Sequence, residues 1–498
     1  MRKEQTVSAT SDQVVITGAG LAGLVTAYEL HERGIPSIVL EAADHVGGRV
    51  RTVQFDDGAR AEAELEKLWE SNPAIELARR FGLPLVEHPT QSSFLADGEL
   101  HLIPSSGRST FAGPQWMPTE RDGFERWSCT ASRIVDELDD AQRSGRWSER
   151  LVALQRTDLS TFVAALALPD VVATWIRLTV ESETGVEWDR IAALDGIDDL
   201  RPFLVDDGGR ARQRRFSIDG GNTRLIDELL RRLPRETVQT GALVKRVVDE
   251  GDAVSVTHRG ASGQEHGVRG RYAVVTTPVW TLRDIDVQPA LSSSAQAAIM
   301  STASGSYVKV ILRLGRGVEH LWERFDGRLF ALLSDALPGC VYLRDGGPTR
   351  RDHVLIALVH GSYARGLHDL PERLIASSVI SGLQSLRERV RGSSIEVPLF
   401  PGISEWVTDV YIVDCPPAVA YWPHALRRSR FDALASALRN PHGRILIGGD
   451  TTDSSHSDGA MRAATRMANW ITMREQIAPL PRPTDDLSHC CAARLRGH

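Results

Sequence analysis

Val14-Val15-Ile16-Thr17-Gly18-Ala19-Gly20-Leu21-Ala22-Gly23 joins a short apolar run to a glycine-rich turn near the N-terminus. The β-branched run over residues 14–17 is too short for a helix and predicts a buried strand. In the turn, Gly18 permits a sharp reversal, Gly20 lets the backbone approach a pyrophosphate, and Gly23 lets the next helix pack closely. The segment therefore predicts a strand, a phosphate-binding turn and a helix.

The residues that follow complete this unit. The apolar pattern predicts a helix over residues 21–32, whose free N–H groups and positive dipole end would face the phosphates. A second strand is predicted over residues 37–40, and it places Glu41 eighteen residues after Gly23. An acid at that distance accepts hydrogen bonds from a ribose, so the unit predicts a dinucleotide site.

A second glycine turn, Gly47-Gly48-Arg49, lies shortly after Glu41. Residues 41–52 fit E-x-x-x-x-x-G-G-R-x-x-T, which resembles the FAD-binding signature of the flavin amine oxidases, the family of monoamine, polyamine and L-amino acid oxidases. Backbone at the two glycines can approach a flavin, and Arg49 can neutralise a phosphate. The resemblance therefore implies FAD as the cofactor.

Later segments resemble the same family in the same order. These are the turn at residues 216–222, the strands at 242–250 and 272–278, the closing strand that ends in Gly449-Asp450, and the helix at 459–464. By resemblance, the N-terminus of that last helix faces the flavin ring. The implied FAD-binding residues are Gly18, Ala19, Gly20, Leu21, Ala22, Gly23, Glu41, Ala42, Gly47, Gly48, Arg49, Val244, Gly449, Asp450, Ala460 and Met461.

The expected fold class is α/β, with a Rossmann-like FAD-binding domain interleaved with a mixed-sheet substrate domain and a helical insertion. The FAD-binding domain is predicted from residues 12–85, 215–285 and 440–475. The substrate domain is predicted from residues 86–214 and 286–439, with its helical part at about 116–200. We expect a disordered tail over 476–498. The arginine-rich segment 206–215 favours a solvated loop over an anion-binding role.

The composition of the chain limits which binding partners and locations are expected. The chain has 498 residues, 42% of them hydrophobic, and a net charge of −7, which gives no reason to expect a nucleic-acid partner. The first residues lack a signal-peptide core and no apolar run approaches ~20 residues, so we expect a cytoplasmic protein without a membrane anchor. The five cysteines show neither metal-ligand spacing nor a disulfide framework. A homodimer is the candidate assembly.

Lys309 is the principal catalytic candidate. Only four of the 58 basic residues are lysines, and this one falls within the apolar run 306–312. In the resembling family, a lysine on a substrate-domain strand holds a water near flavin N5, and Lys309 matches its position. The alternative is a lysine that points to solvent from an edge strand.

Other family positions are altered. Some members of the family link FAD covalently to a cysteine. Pro417 occupies the corresponding position in this chain and Cys415 does not align with it, so we expect FAD to bind non-covalently. By resemblance, Ala418 stands where the family has one aromatic residue of the cage around a small amine. Tyr421, Trp422 and His456 can still line a cavity.

The carboxylate clamp of the L-amino acid oxidases is altered as well. Trp69 stands where those enzymes carry an arginine, and Glu66 replaces a glycine beside the flavin. Glu64 is either a base near the flavin or an exposed acid on a helix.

The expected reaction is hydride transfer from a C–N substrate to flavin N5, giving an imine while dioxygen is reduced to hydrogen peroxide. Because the aromatic cage and the carboxylate clamp are both altered, we expect a bulky amine or N-acyl amine of secondary metabolism, including antibiotic biosynthesis. The alternatives are an L-amino acid oxidase with its clamp on another arginine, a related desaturase, and a non-catalytic flavin-binding partner protein.

Overall fold

The computed structural model describes residues 12–88, 90, 92–102, 116–205, 213–315, 318, 329–344, 353–390, 393–415, 420–421, 431–454 and 456–475. Pro417, Ala418, Trp422 and the expected tail at 476–498 lie outside these ranges. The α/β fold class is confirmed, while the predicted domain boundaries stay a prediction.

A parallel sheet of five strands holds the glycine turn at its carboxyl edge. The predicted strands at 14–17 and 37–40 are confirmed. The helix Leu21–His31 follows the turn and packs on the helix His456–Arg474. In spatial order the strands are Val238–Gln239, Ser37–Leu40, Val14–Thr17, Tyr272–Val275 and Ile445–Ile447.

A mixed sheet of seven strands forms the second layer. Its strands, in order, are Val407–Cys415, Tyr307–Leu314, Val354–His360, Cys340–Arg344, Leu332–Ser334, Ser93–Ala96 and Glu99–His101. Only the pair formed by Leu332–Ser334 and Ser93–Ala96 is parallel among these described strands. Because Tyr307–Leu314 has a neighbour on each side, Lys309 does not lie on an edge strand.

A helical layer covers the region between the two sheets. Trp127 and Trp175 are fully enclosed in its core, where their large apolar surfaces stabilise the packing of the helices. The layer confirms the helical pattern expected at 116–200. Its helices are Pro118–Ser144, Glu149–Leu154, Leu159–Ala165, Asp170–Thr184, Ala193–Asp199 and the 3₁₀ turn Arg201–Phe203.

A small antiparallel sheet joins the layers, with Arg215–Ile218 between Leu68–Trp69 and Leu85–His88. The expected solvated loop is therefore wrong at Arg215, which is buried in the central strand.

The remaining elements complete the fold and connect its layers. The other helices are Pro73–Arg80, Thr223–Arg232, Arg235–Thr237, Val279–Asp284, Ser293–Ser301, Gly361–Arg365, Glu372–Ser385, Ile403–Trp406 and Phe431–Arg439. The other strands are Thr52–Gln54, Arg60–Glu62, Leu243–Asp249, Val254–Arg259, Glu265–Gly270, Asp286–Gln288, Ala303–Ser304, Arg387–Arg389, Glu396–Pro398 and Ala420–Tyr421.

Candidate active site

One cavity of about 1180 Å³ extends from the glycine turn to the mixed sheet and the helical layer. Its lining includes Gly20 at one end, Lys309 on the mixed sheet and Asp199 on the helical layer. The segment 63–67 runs along it between these parts. A molecule bound across the glycine turn would therefore share one continuous cavity with a molecule bound beside Lys309.

The two glycine turns form a cradle that fits a dinucleotide. A Cβ atom added at Gly20 would meet no protein atom within 4 Å, because this position opens onto the cavity. Gly20 also forms a backbone bridge with Gly47, and the helix that starts at Leu21 has no side-chain cap. Backbone N–H groups at an uncapped helix start bind phosphate oxygens, so the geometry suits the group that the sequence implied.

Most of the implied FAD-binding residues line the cavity. They are Gly18, Gly20, Leu21, Ala22, Glu41, Ala42, Gly47, Gly48, Arg49, Val244, Gly449, Asp450 and Ala460. Ala19, Gly23 and Met461 are not among the lining residues. Ala19 and Met461 are buried, and a Cβ atom at Gly23 would lie 1.9 Å from the carbonyl oxygen of Gly18. These three residues therefore pack beneath the cradle, in the protein interior.

Acidic side chains hold the cradle in shape. Glu41 Oε2 accepts a hydrogen bond from the Ala19 N–H at 2.6 Å, and Oε1 accepts one from the Ala43 N–H at 2.9 Å. Arg49 pairs with Asp450 at 2.7 Å, and the charge of Asp450 raises the pKa of Arg49. Glu41 thus fixes the first turn, while Asp450 ties the second turn to the closing strand.

Lys309 is buried, and three protein oxygens surround its ammonium group. Nζ donates to the backbone carbonyls of Glu62 and Glu64, each at 3.1 Å, and to Glu66 Oε2 at 3.3 Å. An ammonium group has three N–H donors, and each one has an acceptor here. The alternative of a solvent-facing lysine is therefore wrong.

Glu66 connects Lys309 to other buried cations. Burial acts to raise the pKa of Glu66, but Lys309, Lys67 and Arg344 together lower it to about 2. Arg344 lies 3.6 Å from Glu66 and 3.3 Å from the fully buried Glu62. Lys67, Arg344 and Glu62 are not among the residues predicted from the sequence, although Lys67 lies close to Glu64 and Glu66 in a chain with only four lysines.

Glu64 lies on the cavity wall in a segment that is neither helix nor strand. Burial raises its pKa, against the opposing charges of Arg49 and Lys309. The structure thus brings together Lys309 and Glu64, the two catalytic candidates of the sequence. The alternative of an exposed acid on a helix is wrong for Glu64.

The expected substrate residues Trp69, Tyr421 and His456 also line the cavity, and Trp422 lies outside the described residues. The Trp69 ring meets Phe203 edge-on, with a centroid distance of 5.2 Å. His456 begins the last helix, and its Nε2 lies 3.4 Å from Asp199 Oδ1. Burial acts to lower the pKa of His456, but the hydrogen bond and charge of Asp199 raise it to about 9.

Two cysteine side chains reach the cavity. Cys340 lies on the mixed sheet and Cys415 ends the strand beside Lys309. Burial raises the pKa of each thiol to about 12. Since the thiolate is the nucleophilic form, both groups are poor nucleophiles at neutral pH.

Comparison with known proteins identifies the family. Residues 21–472 match the model of the flavin containing amine oxidoreductases, so the chain belongs to that family. It is a flavin-dependent amine oxidase. In the described part of the chain, no helix is long and apolar enough to cross a membrane.

Relatives show the range of this family. The chain is 28% identical to the flavin-dependent L-tryptophan oxidase RebO of Lentzea aerocolonigenes, over 72% of this chain and 77% of that protein. It is 26% identical to an L-amino-acid oxidase of Protobothrops flavoviridis, over 89% and 85% of the two chains. Cyclohexylamine oxidase from Brevibacterium oxydans has the same fold, with a TM-score of 0.70 and 19% identity over 93% of this chain and 99% of that one.

Proposed function

We propose that this protein binds FAD non-covalently and oxidises the C–N bond of a bulky amine to an imine. The substrate loses a hydride from carbon and a proton from nitrogen, and dioxygen takes up two electrons and two protons to give hydrogen peroxide. The observation that most directly supports this proposal is that one cavity joins the dinucleotide cradle to Lys309 and Glu64. We further propose that the protein acts in secondary metabolism, such as antibiotic biosynthesis, in the cytoplasm.

The choice of FAD rests on the cradle. The glycine turn and the uncapped helix suit a pyrophosphate, and Glu41 lies where a ribose would follow. When bound, the flavin supplies the hydride acceptor and the route for electrons to oxygen. The high pKa values of Cys340 and Cys415 support non-covalent binding, because neither thiol attacks readily at neutral pH.

The side chains near Lys309 would control protons and charge. Lys309 fixes the backbone on both sides of Glu64 through two carbonyl contacts, so it positions that carboxyl group. Since all three N–H donors are used, what it offers the cavity is a fixed positive charge. Burial raises the pKa of Glu64, which favours a role in exchanging a proton with the substrate amine.

The cavity also supports a bulky substrate. Pockets for small ligands hold about 300–1000 Å³, and the volume here, about 1180 Å³, serves the cofactor and the substrate together. Trp69 and Tyr421 supply aromatic walls for the part nearer the helical layer. An L-amino acid substrate is the second candidate, favoured by the buried Arg215 in the cavity wall and by the amino acid oxidases among the relatives.

The testing experiment is an anaerobic titration of the purified holoenzyme, followed in the visible spectrum. Amines, N-acyl amines and L-amino acids would each be added, and air admitted afterwards. We expect one class to bleach the flavin band and to give peroxide on aeration. If every candidate left the band intact and only a chemical reductant bleached it, a non-catalytic flavin-binding role would replace this proposal.

A further inference from the structure

Arg215 occupies an unusual place in the wall of the cavity. It begins the central strand of the three-stranded sheet, with Trp69 opposite it on one side and His88 on the other. The residue is buried, with 8% of its surface exposed, and it contributes to the cavity lining. The guanidinium carbon lies 5.7 Å from the centre of the Trp69 ring.

The guanidinium group has no matching anion. Its Nε is enclosed without a hydrogen-bond partner, and no described residue forms an ion pair or a side-chain hydrogen bond with it. Burial lowers the pKa of Arg215, with Glu183 the strongest opposing charge. An enclosed, unpaired cation is costly unless an anion or other acceptor approaches it.

The acids whose charges act on Arg215 are Glu183 and Glu66, and neither forms an ion pair with it in the described part of the chain. Glu66 instead pairs with Lys67, Lys309 and Arg344. His88 accepts no proton near neutral pH, because burial and the charges of Lys67 and Arg215 lower its pKa to about 2. Burial also raises the pKa of Glu183, against the opposing charges of His456 and Arg215. Trp69 offers only a neutral ring. The remaining open side of Arg215 is the cavity itself.

We propose that Arg215 binds a carboxylate on the amine substrate, so that the substrate is an amino acid or an amino-acid-derived amine. This inference rests on the proposed function, since it names the substrate class of the same site. The planar guanidinium fork matches the two oxygens of a carboxylate. Trp69 is the direct cross-strand neighbour of Arg215, so its ring lies beside the group that would hold the carboxylate.

Arg215 is also close to the catalytic candidates. Burial raises the pKa of the Cys340 thiol, while the charges of Arg215 and Lys309 both act to lower it, so both cations lie near this group in the cavity lining. A substrate whose carboxylate contacts Arg215 would extend toward Lys309 and Glu64 along the same wall. The aromatic ring of Trp69 would then cover the substrate next to its carboxylate.

Ligand pairs that differ only in the carboxylate test this inference. The holoenzyme would be titrated with benzoate and with benzamide, and the dissociation constants read from the change in the flavin spectrum. We expect benzoate to bind at least about tenfold more tightly than benzamide, the equivalent of about 1.4 kcal/mol. Arg215→Met should abolish this preference. If that variant loses its flavin, Arg215→Gln takes its place.

Arg214→Met is the matched control. Arg214 precedes Arg215 but is half exposed, pairs with Glu70 and Glu87, and does not line the cavity. The control should keep the preference for benzoate. Equal binding of benzoate and benzamide by the wild type would overturn the inference, as would an unchanged preference in Arg215→Met.

Anaerobic reduction by L-tryptophan and by tryptamine separates this inference from the proposed function. Reduction by tryptamine together with no preference for benzoate would overturn the role of Arg215 and leave the amine oxidase standing. An Arg215-dependent preference for benzoate, with no flavin reduction by any C–N compound, would support the anion site and overturn the proposed function.

Discussion

Lys309 Nζ and Glu66 Oε2 lie 3.3 Å apart in the protein interior, on two different structural layers. Lys309 belongs to the mixed sheet, whereas Glu66 belongs to the segment that leads from the cofactor cradle to the strand Leu68–Trp69. The pair therefore joins the cofactor-binding region to the substrate sheet at the wall of the cavity. Both members are also coupled to further buried charges through Arg344 and Glu62.

Replacing Glu66 by Gln should destabilise the folded protein strongly. The change removes the anion that neutralises Lys309 and Arg344, and an uncompensated buried charge costs about 3–5 kcal/mol. Chemical unfolding of both proteins, each saturated with FAD, measures the difference. Glu70→Gln is the control, because its pair with Arg214 lies at the surface and should contribute less than about 1 kcal/mol. Similar losses in the two variants would contradict this account of the network.

Replacing Lys309 by Met should slow the re-oxidation of the reduced protein by oxygen. A fixed positive charge in a buried cavity stabilises the negative charge that develops as oxygen accepts electrons, and we expect a loss of ~10-fold or more. Stopped-flow mixing of photoreduced protein with oxygenated buffer gives the rate. Arg313→Met is the control, because Arg313 is a cation on the same strand that pairs with Asp57 outside the cavity. An unchanged rate in Lys309→Met would remove Lys309 from the oxygen reaction.

Substitutions at two glycines of the first turn should separate effects on FAD binding from effects on the stability of the apoprotein. Gly20→Val places its side chain in the open cavity, so it should abolish FAD retention and leave the stability of the apoprotein nearly unchanged. Gly23→Ala drives a methyl group into the Gly18 carbonyl oxygen, so it should cost the apoprotein about 2 kcal/mol or more. Flavin absorbance and apoprotein melting temperature are the two measurements. A fully stable Gly23→Ala apoprotein would contradict the close packing.

The stabilising effect of His456 should disappear as the pH rises. Its folded-state pKa is about 9, raised from 6.5. The contribution is therefore complete below pH 6.5 and is lost as the pH rises through 9. The melting temperature of the wild type minus that of His456→Asn should accordingly fall across this window.

Asp199→Asn checks the cause of that trend. Without the Asp199 carboxylate, His456 loses the partner that raises its pKa. The melting temperature of Asp199→Asn would be compared with that of the double variant Asp199→Asn/His456→Asn. Their difference should therefore depend on pH much less than the difference between the wild type and His456→Asn. A trend of full size in the absence of Asp199 would assign the effect to another group.

The cofactor cradle could be predicted from sequence because its signals are local. The apolar run, the glycines and Glu41 lie within one short segment. Gly18 has a positive φ of 96° and Gly23 packs against the Gly18 carbonyl oxygen, whereas Gly20 leaves the cavity open. The strands at 14–17 and 37–40 have the predicted bounds. Lys309 could be singled out for a similar reason, since a lysine in an apolar strand is conspicuous.

The charge network and the place of Arg215 could not be predicted in the same way. Arg344, Glu62 and Lys309 are far apart in the chain and meet only after the mixed sheet packs on the segment 62–67. Arg215 ends an arginine-rich segment whose composition indicates solvent, yet strand pairing with Trp69 and His88 draws it into the interior. Long-range pairing overrides composition at this position.

The parallel sheet has a consequence for how the protein is made. The first strand, Val14–Thr17, pairs with Tyr272–Val275, and that strand pairs in turn with Ile445–Ile447. On the ribosome, the N-terminal glycine turn is therefore synthesised long before the strands that complete its sheet, and contacts this distant in sequence form slowly. A nascent chain that stops before Ile445 leaves the edge of Tyr272–Val275 unpaired and open to aggregation. Synthesis of the Ile445–Ile447 strand, rather than of the nucleotide-binding turn, sets the moment at which the sheet around the flavin cradle can be completed.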